Sequence, residues 1–358
     1  MYLHNVESIQ VELSNVCNAQ CIGCRRTGES REKKFIELKN YLHYTDKTFL
    51  DENVFESIIS SEHDIKEIEF CGTIDEPLAH PKFLNILQYL LKHKPSLTIR
   101  IHTNGALKDN QYYYSLSQIL QKFNDHNVRF SIDGLKESHY LYRGLDSYDK
   151  ILSHAKTFIE AGGNAFWQML LFPWNKNEVK RCEHIANTMN FKRFVVRHDR
   201  TSSSKWLPEE ILEARKTNYY KKPLSENILK VDKQFEELES LTSEVYDINC
   251  LFQSHSQVFL NWKGQVWPCC FLSGKDVVNK DFNVELYTKL YGRYGENFNS
   301  IYHHTFDEIM KNDWYNNDLV NSWNIPSKSS KGCISVCNQK CGVKGIHRNQ
   351  EHIAVVNL

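Results

Sequence analysis

Three cysteines lie within eight positions of one another in the stretch LSNVCNAQCIGCRR, residues 13–26, directly after a short apolar run. Cys17, Cys21 and Cys24 follow the spacing C-x3-C-x2-C. Three thiolates at this spacing can bind three irons of a cubane iron–sulfur cluster and leave the fourth iron without a protein ligand. A structural zinc site is the alternative, but it needs four ligands, and no fourth Cys or His follows Cys24 closely. The spacing therefore favours a cluster whose open iron can take part in chemistry.

A second group of cysteines lies near the other end of the chain. Six of the eleven cysteines belong to it: Cys250, Cys269, Cys270, Cys333, Cys337 and Cys341. Four thiolates from such a group would bind either a second iron–sulfur cluster or a closed tetrahedral zinc ion. Cys71 and Cys182 stand alone, and we interpret each as a small buried apolar side chain.

The composition is that of a folded globular protein with a sizeable core. The chain has 358 residues, of which 41% are apolar, and its 44 Lys and Arg residues equal its 44 Asp and Glu residues. A net charge of zero gives no overall basic field, so neither nucleic acid nor a membrane surface is an expected partner. The N-terminal residues lack a secretory pattern, and no stretch of about 18 uncharged apolar residues occurs. We therefore expect a cytoplasmic protein whose reduced thiols bind metal.

Short β-rich runs alternate with helical patterns over residues 9–198. Six strand–helix units in this order predict a parallel sheet with right-handed crossovers, either an open doubly wound sheet or a partial barrel. The predicted strands are IQVEL (9–13), KEIEFCG (66–72), LTIRIHTNG (97–105), VRFSIDG (128–134), AFWQMLLF (165–172) and KRFVVRH (192–198). Chemistry in such folds lies at the carboxyl ends of the strands. The cysteine triplet, GTIDEP, HTNG and SIDG all fall there.

The chain beyond residue 200 has a different pattern. Residues 201–249 are rich in Lys and Glu with few core residues, which predicts a helical connector with solvated faces. A second unit begins near residue 250, where QVFLNWKGQVWPCC predicts a β-hairpin turning at 262–264. The predicted organisation is a barrel over 1–200, a connector over 201–249 and a small α+β domain over 250–358.

Residues 9–200 resemble the radical S-adenosylmethionine enzymes, whose signature is this three-cysteine loop after the first strand of a partial (β/α)6 barrel. The resemblance implies that S-adenosylmethionine binds the open iron of a catalytic 4Fe–4S cluster formed on Cys17, Cys21 and Cys24. Reductive cleavage would then give a 5′-deoxyadenosyl radical that abstracts a hydrogen atom from substrate. It also implies an external one-electron donor of the flavodoxin or ferredoxin type.

The same resemblance assigns roles to the motifs at the other strand ends. FCGTIDEP stands where the family receives the methionyl ammonium, so Gly72 and Glu76 are expected there, with Asp75 as the alternate and a solvated turn glutamate as the other interpretation. SIDG resembles a motif whose Ser and Asp reach the cofactor. Arg143 resembles an arginine that pairs with the cofactor carboxylate, since a guanidinium suits a carboxylate, and a surface arginine is its alternative. The remaining expected cofactor contacts are Asn104, Ser131, Asp133 and Gln168, with His102 lining the same cavity.

The C-terminal cysteines resemble those of the SPASM and shortened twitch domains, in which a hairpin and helix surround an auxiliary 4Fe–4S cluster. The run from Gly264 to Cys269 is a G-x4-C that matches the start of such a domain. The resemblance favours one cluster bound by Cys250, Cys269, Cys337 and Cys341, with Cys333 as a substitute for either of the last two. Cys270 is expected to be a core thiol, because neighbouring strand residues point to opposite faces. A zinc site remains the alternative for this half.

The expected function is oxidation or rearrangement of a small molecule such as a sugar or aminocyclitol, with the auxiliary cluster accepting the second electron. The first barrel strand begins near residue 9, which leaves no room for the N-terminal peptide-binding domain that many peptide-modifying relatives carry. A peptide maturase performing epimerisation or crosslinking is the alternative. A non-catalytic iron–sulfur or zinc protein is the alternative of another class, and it would leave the strand-end motifs without a role.

Overall fold

The protein is described by a computed structural model. It covers residues 4–22, 24, 35–37, 47–71, 73–198, 207–217, 219–221, 248–273, 290–324, 337, 341–342 and 352–357. Gly72, Cys333 and most of the expected connector over 201–249 lie outside these described residues.

Nine strands form one sheet within the described residues, and two more pair separately. In chain order the strands are β1 Ser8–Val11, β2 Phe35–Glu37, β3 Glu67–Phe70, β4 Thr98–Thr103, β5 Asp125–Ser131, β6 Ala165–Leu171, β7 Arg193–His198, β8 Tyr219–Lys221, β9 Gln257–Leu260, β10 Val266–Trp267 and β11 His352–Asn357. The order in the large sheet is β10-β9-β1-β3-β4-β5-β6-β7-β11, and β2 pairs with β8. Strands β1, β3, β4, β5, β6 and β7 are parallel neighbours in chain order. The predicted six parallel strands are therefore confirmed.

Helices follow the parallel strands and cover one face of the sheet. Their bounds are α1 Val54–Ile59, α2 Phe83–His93, α3 Asn110–Leu120, α4 Lys136–Arg143, α5 Tyr148–Glu160, α6 Val179–Thr188 and α7 Pro208–Thr217. Because successive side chains in a strand point to opposite faces, Ile99 and Ile101 of β4 are buried under the helices while His102 faces the other side. On β5, Phe130 packs against Tyr113 of α3, with ring centroids 5.8 Å apart. The inner face is left to polar residues.

Helix α4 was not predicted from the sequence. Its eight residues, KESHYLYR, are mostly polar and too short to show a clear apolar period. The helix ends where Gly144 adopts φ +68°, a left-handed conformation that glycine takes at low cost. Arg143 is thus the last residue of the helix, next to the end of β5.

The predicted hairpin is confirmed, and it extends the barrel sheet. Strands β9 and β10 are antiparallel, and β9 runs parallel to β1, with Gln257 opposite Ser8. The turn contains Gly264 at φ +75°, where a Cβ atom would lie 2.3 Å from the Tyr302 ring. Strand β11 pairs antiparallel with β7 at the opposite edge. Residues after 250 therefore hydrogen-bond to both edges of the six-stranded core.

Short helical segments complete the described C-terminal region. They are Leu251–Ser254, Cys270–Ser273, Phe306–Met310, the π-helical turn Trp314–Asp318 and Leu319–Ser322. Trp314 packs edge-on against Trp267 of β10, with centroids 5.7 Å apart. Of the described helices, none combines the length and apolar character that a membrane crossing requires.

Candidate functional site

The three-cysteine loop follows β1 and is held by the C-terminal end of α4. Gln20 N donates to Arg143 O over 2.9 Å, and Ile22 N donates to Tyr142 O over 3.1 Å. Cys21 is buried, while Cys17 and Cys24 are half-buried. Apolar residues packed around the loop are Ala19, Ile22, Tyr142, Phe172 and Ile211. The loop is therefore fixed by a strand, a helix end and an apolar pocket, which keeps bulk water from most of its surface.

The loop thiols lie in an environment that disfavours free thiolates. Burial raises the pKa of Cys21 to about 11; the Arg143 guanidinium acts in the opposite direction, and the Cys24 and Asp133 charges add to the rise. Burial, Glu76 and the neighbouring Cys21 also raise the pKa of Cys17. Since metal ligation requires the thiolate, bound metal would have to supply the positive charge that stabilises it.

The described thiols are more widely spaced, three at a time, than the ligands of a single metal ion. Within the described residues, Glu69, Cys71 and His102 form the one group of three whose ligand atoms all lie within 4.8 Å of one another. No three described cysteines meet that condition. A zinc ion, with Zn–S distances of about 2.3 Å, would bring its sulfurs to within about 4 Å of each other. The described thiols are thus not arranged around a single ion, and the choice of an iron–sulfur cluster follows from the cysteine spacing in the sequence.

Glu76 joins the ends of three strands to the cysteine loop. Its carboxylate accepts hydrogen bonds from Thr103 Oγ1 over 2.6 Å, from Asn104 N over 2.7 Å and from Leu78 N over 3.3 Å. Its own N–H donates to Val16 O, directly before Cys17. Glu76 is only 2% exposed, and burial raises its pKa although the hydrogen bonds act in the opposite direction. The interpretation of Glu76 as a solvated turn residue is therefore wrong.

Asp75, the alternate to Glu76, binds the protein backbone. Its Oδ2 accepts from Leu13 N over 2.8 Å and from Ser14 N over 3.2 Å, which ties the GTIDEP segment to the end of β1. Burial and the neighbouring Glu12 raise its pKa well above the usual range. These contacts give Asp75 a structural role and leave Glu76 as the better candidate for a cofactor contact.

Asn104 brings the end of β4 to the cysteine loop. Its Nδ2 lies 3.6 Å from Cys17 Sγ and donates to Asn18 Oδ1 over 2.8 Å. Asn18 was not predicted from the sequence, because an asparagine between two cysteines has no distinctive pattern. Together Asn104 and Asn18 place amide groups beside the first thiol.

Arg143 and Asp133 form a buried ion pair beside Cys21. Arg143 Nε donates to Asp133 Oδ2 over 2.6 Å, and Arg143 Nη1 lies 3.5 Å from Cys21 Sγ. The Asp133 side chain is fully buried and that of Arg143 is 14% exposed. Asp133 Oδ1 accepts from Leu170 N over 2.8 Å, so the aspartate fixes the guanidinium to β6. The interpretation of Arg143 as a surface arginine is therefore wrong.

Ser131 and Gln168 are direct neighbours at the ends of β5 and β6. The two residues are in register in the parallel pair, and both are half-buried on the inner face of the sheet. Neither side chain forms a hydrogen bond to a described residue, so both are available to bind a ligand. Their placement agrees with the expected cofactor contacts. That Ser131 and Gln168 bind the cofactor stays a prediction.

Four C-terminal cysteines surround one small cavity: Cys250, Cys269, Cys337 and Cys341. Each is between 7% and 9% exposed. Apolar side chains of Leu272, Leu319 and Trp323 also line the cavity. This is the ligand set expected for the auxiliary cluster, with Cys333 outside the described residues. Burial and the neighbouring Cys270, Cys337 and Cys250 raise the pKa of Cys269, so these thiols too need a bound positive charge to ionise.

Cys270 does not line this cavity, but the reason differs from the predicted one. The strand ends at Trp267, and Cys270 begins a short helix rather than continuing the strand. The prediction that Cys269 and Cys270 lie in one strand and point to opposite faces was therefore wrong. Cys270 is half-buried and lies close enough to Cys71 to influence that thiol electrostatically, which brings the C-terminal region to the barrel mouth.

Known proteins match this chain through their structures. No protein-family model and no curated protein sequence matches it. Native anSMEcpe with bound AdoMet is similar, with a TM-score of 0.52 and 19% identity over 93% of this chain and 88% of that one. AnSMEcpe with bound AdoMet and Cp18Cys peptide gives the same values. The chain therefore has the fold of anSMEcpe, and the predicted partial barrel with a C-terminal extension is confirmed.

Two further solved structures show weaker similarity. Streptococcus suis SuiB bound to the precursor peptide SuiA has a TM-score of 0.49 and 16% identity over 75% of this chain. BtrN in complex with AdoMet and 2-DOIA has a TM-score of 0.41 and 12% identity over 88% of this chain and 85% of that one. The match covers only 60% of the length of the SuiB chain.

Proposed function

We propose that this chain is a radical S-adenosylmethionine enzyme with one catalytic and one auxiliary 4Fe–4S cluster. The catalytic barrel comprises residues 1–200 and the auxiliary-cluster region residues 250–358. One observation carries the proposal: the three-cysteine loop meets the ends of β3 and β4 at Glu76 and Asn104, and the C-terminal end of α4 at Arg143. A non-catalytic metal protein could be explained by the four-cysteine cavity alone. It would give no reason for Glu76, Asn104 and Arg143 to meet at the three-cysteine loop.

The cluster and the cofactor would supply the chemistry and the chain would position them. When bound, a cluster on the loop thiols supplies the electron that splits S-adenosylmethionine to a 5′-deoxyadenosyl radical, which abstracts hydrogen from substrate. Asp133 holds Arg143 by Nε, so the other guanidinium nitrogens are directed toward Cys21 and can pair with the cofactor carboxylate. Glu76 supplies buried negative charge beside Cys17, where a cofactor ammonium would be stabilised. Ser131 and Gln168 offer free polar groups to the ribose.

The reduced wild-type protein is expected to cleave S-adenosylmethionine. Anaerobic reconstitution should give about eight irons and about eight sulfides per chain, the content of two cubane clusters. After reduction by dithionite, or by a flavodoxin or ferredoxin acting as the external donor, 5′-deoxyadenosine and methionine should accumulate and are measured by liquid chromatography. Iron-loaded, reduced protein that forms no 5′-deoxyadenosine would contradict the proposed function and favour a non-catalytic iron–sulfur protein.

Replacing Arg143 by alanine is expected to weaken S-adenosylmethionine binding by tenfold to hundredfold without loss of iron. Losing a charge-assisted hydrogen-bonded pair costs about 1.5–3 kcal/mol, and about 1.4 kcal/mol corresponds to tenfold in affinity. Binding is measured by equilibrium dialysis of the unreduced holoprotein. Arg143→Lys keeps the positive charge beside Asp133 but loses the planar guanidinium that can donate two parallel hydrogen bonds, so it should give an intermediate affinity. Arg181→Ala, on the exposed side of α6, is the matched control and should bind as the wild type does. Unchanged affinity in Arg143→Ala would remove this residue from the cofactor site.

A further inference from the structure

A cysteine and two polar side chains meet on the inner face of the sheet, outside both cysteine groups. Glu69 lies on β3, Cys71 directly follows that strand, and His102 lies on β4. Residues two apart along a strand share a face, so Glu69 and Cys71 point to the same side. The parallel pairing joins Phe70 to Ile101, which places Cys71 level with His102. The register between the strands therefore brings the three side chains together.

The ligand atoms of these three residues are nearly as close as in an occupied metal site. A carboxylate oxygen of Glu69, the Cys71 sulfur and a ring nitrogen of His102 all lie within 4.8 Å of one another. His102 Nε2 is 2.8 Å from Glu69 Oε1. In a tetrahedral zinc site, metal–ligand distances of about 2.0–2.3 Å place the ligand atoms about 3.3–3.6 Å apart. Shifts on the order of 1 Å would therefore complete such a site.

The short contact between His102 and Glu69 is not an aligned hydrogen bond. His102 Nε2 is a buried atom with no hydrogen-bond partner of acceptable geometry among the described residues, although Glu69 Oε1 is only 2.8 Å away. A buried polar nitrogen without a partner is costly, because it has lost its water and gained nothing in exchange. A metal ion that accepts a lone pair from the nitrogen and another from the oxygen would satisfy both atoms.

The charges around the three residues are compatible with a divalent cation. Arg129 and Arg100 act on Glu69 and oppose a further cation, but Arg100 is already paired with a second carboxylate of β3. On the other side, the carboxyl group of Asp75 acts on Cys71, and Asp75 Oδ1 is a buried atom without a hydrogen-bond partner among the described residues. A cation bound to the Cys71 thiolate would favour the ionised form of Asp75 and would be stabilised by it.

We propose that Glu69, Cys71 and His102 bind Zn²⁺ as a third metal centre, separate from the two cysteine groups. Thiolate, imidazole and carboxylate are the donors that Zn²⁺ takes in proteins, whereas Mg²⁺ and Ca²⁺ prefer oxygen ligands alone. Zn²⁺ also binds such sites more tightly than Fe²⁺, which cluster reconstitution supplies. Binding converts the Cys71 thiol to a thiolate and releases its proton to solvent. Three protein ligands leave one position on the ion for water or for an oxygen of another ligand.

Metal analysis and zinc spectroscopy of the holoprotein test this assignment. The iron-loaded, unreduced protein is dialysed against Zn²⁺ buffered by a weak chelator, and zinc and iron are both measured by mass spectrometry. We expect about one zinc per chain with about eight irons retained. X-ray absorption at the zinc edge should show one sulfur at about 2.3 Å and nitrogen or oxygen neighbours at about 2.0–2.2 Å. Absence of zinc overturns the proposal, and so does zinc with no sulfur neighbour or with four.

Two substitutions and a matched control connect the zinc to these residues. Cys71→Ser and His102→Gln should each weaken zinc binding by at least tenfold, because each removes one of three ligands. Cys182→Ala removes the other cysteine outside the two groups and should bind zinc as the wild type does. Unchanged zinc affinity in Cys71→Ser or in His102→Gln overturns the proposal, and the wild-type absorption spectrum decides the ligands if either variant fails to fold.

Neither measurement needs cofactor cleavage, and the zinc site does not depend on the proposed function. A protein that cleaves S-adenosylmethionine but binds no zinc at this site fails this inference alone. One that binds zinc through Cys71 and His102 but forms no 5′-deoxyadenosine fails the proposed function alone.

Discussion

Replacing Cys17, Cys21 and Cys24 together by alanine is expected to lower the iron content from about eight to about four per chain and to abolish 5′-deoxyadenosine formation. The loss should be complete, because the cofactor would lose the iron that holds it. The loop should still be anchored, since Gln20 and Ile22 bind α4 through backbone atoms that the substitution leaves in place. Iron and sulfide analysis and chromatography of the nucleoside products measure the two effects.

The matched control for this triple substitution is Cys182→Ala. Cys182 is a buried thiol on α6, remote in sequence from both cysteine groups, and its removal should leave both the iron content and the cleavage activity unchanged. Wild-type protein with about four irons, or with zinc in place of iron, would contradict the assignment of two clusters. Full iron content in the triple variant would contradict the assignment of the loop.

Replacing Cys341 by alanine is expected to remove the auxiliary cluster, to leave about four irons per chain and to retain cofactor cleavage. Cys341 lies in the buried cavity with Cys250, to which its thiol is hydrogen-bonded. The apolar lining of this cavity, Leu272, Leu319 and Trp323, offers no replacement ligand for the fourth iron, whereas S-adenosylmethionine would complete the open iron of the loop cluster. The cysteine loop is held by α4 and the ends of β3 and β4, so the catalytic half should remain assembled. Once the substrate is known, its oxidised product should disappear, because abstraction of hydrogen leaves a reducing radical that needs an electron acceptor.

Cys270→Ala is the control for Cys341→Ala, because Cys270 is adjacent to a ligand but does not line the cavity. It should keep about eight irons. Cys341→Ser is made in parallel, since a cluster that ties Cys250 to Cys337 and Cys341 also contributes to folding of this region. If both Cys341 variants keep all their iron, the ligand set is wrong. If their substrate product forms normally after the auxiliary iron is gone, the cluster has only a structural role.

The sequence predicted those features that depend on local pattern. Six strands were visible because each is a short apolar run, and the cysteine loop and Glu76 follow such runs, whereas Arg143 was identified through the family resemblance. Helix α4 was missed because eight mostly polar residues give no clear period. The hydrogen bonds that separate Glu76 from Asp75 come from Thr103 and Leu13, residues that lie 27 and 62 positions away. Such contacts have no local signal.

The charges on the inner face of the sheet show a different limit of sequence reasoning. Glu69 and His102 were visible in their runs, but which face of the sheet they share and how their side chains pair are not readable locally. Both depend on the register between strands, which a single sequence does not specify. The pairing of β9 with β1 has the same origin, since a hairpin can be recognised locally while its neighbour in the sheet cannot.

The position of β9 beside β1 has a consequence for synthesis of the protein. Ser8 on the first strand hydrogen-bonds to Gln257, 249 residues later. At a translation rate of about 5–20 residues per second, roughly 12–50 seconds separate the emergence of these partners from the ribosome. During that interval the outer edge of β1 offers unpaired N–H and C=O groups to any other strand, and the edge of β7 likewise waits for β11, although over a shorter stretch of chain. A nascent chain of this fold is therefore open to mispairing with its neighbours on a polysome, and shortening it at the C-terminus would make that exposure permanent.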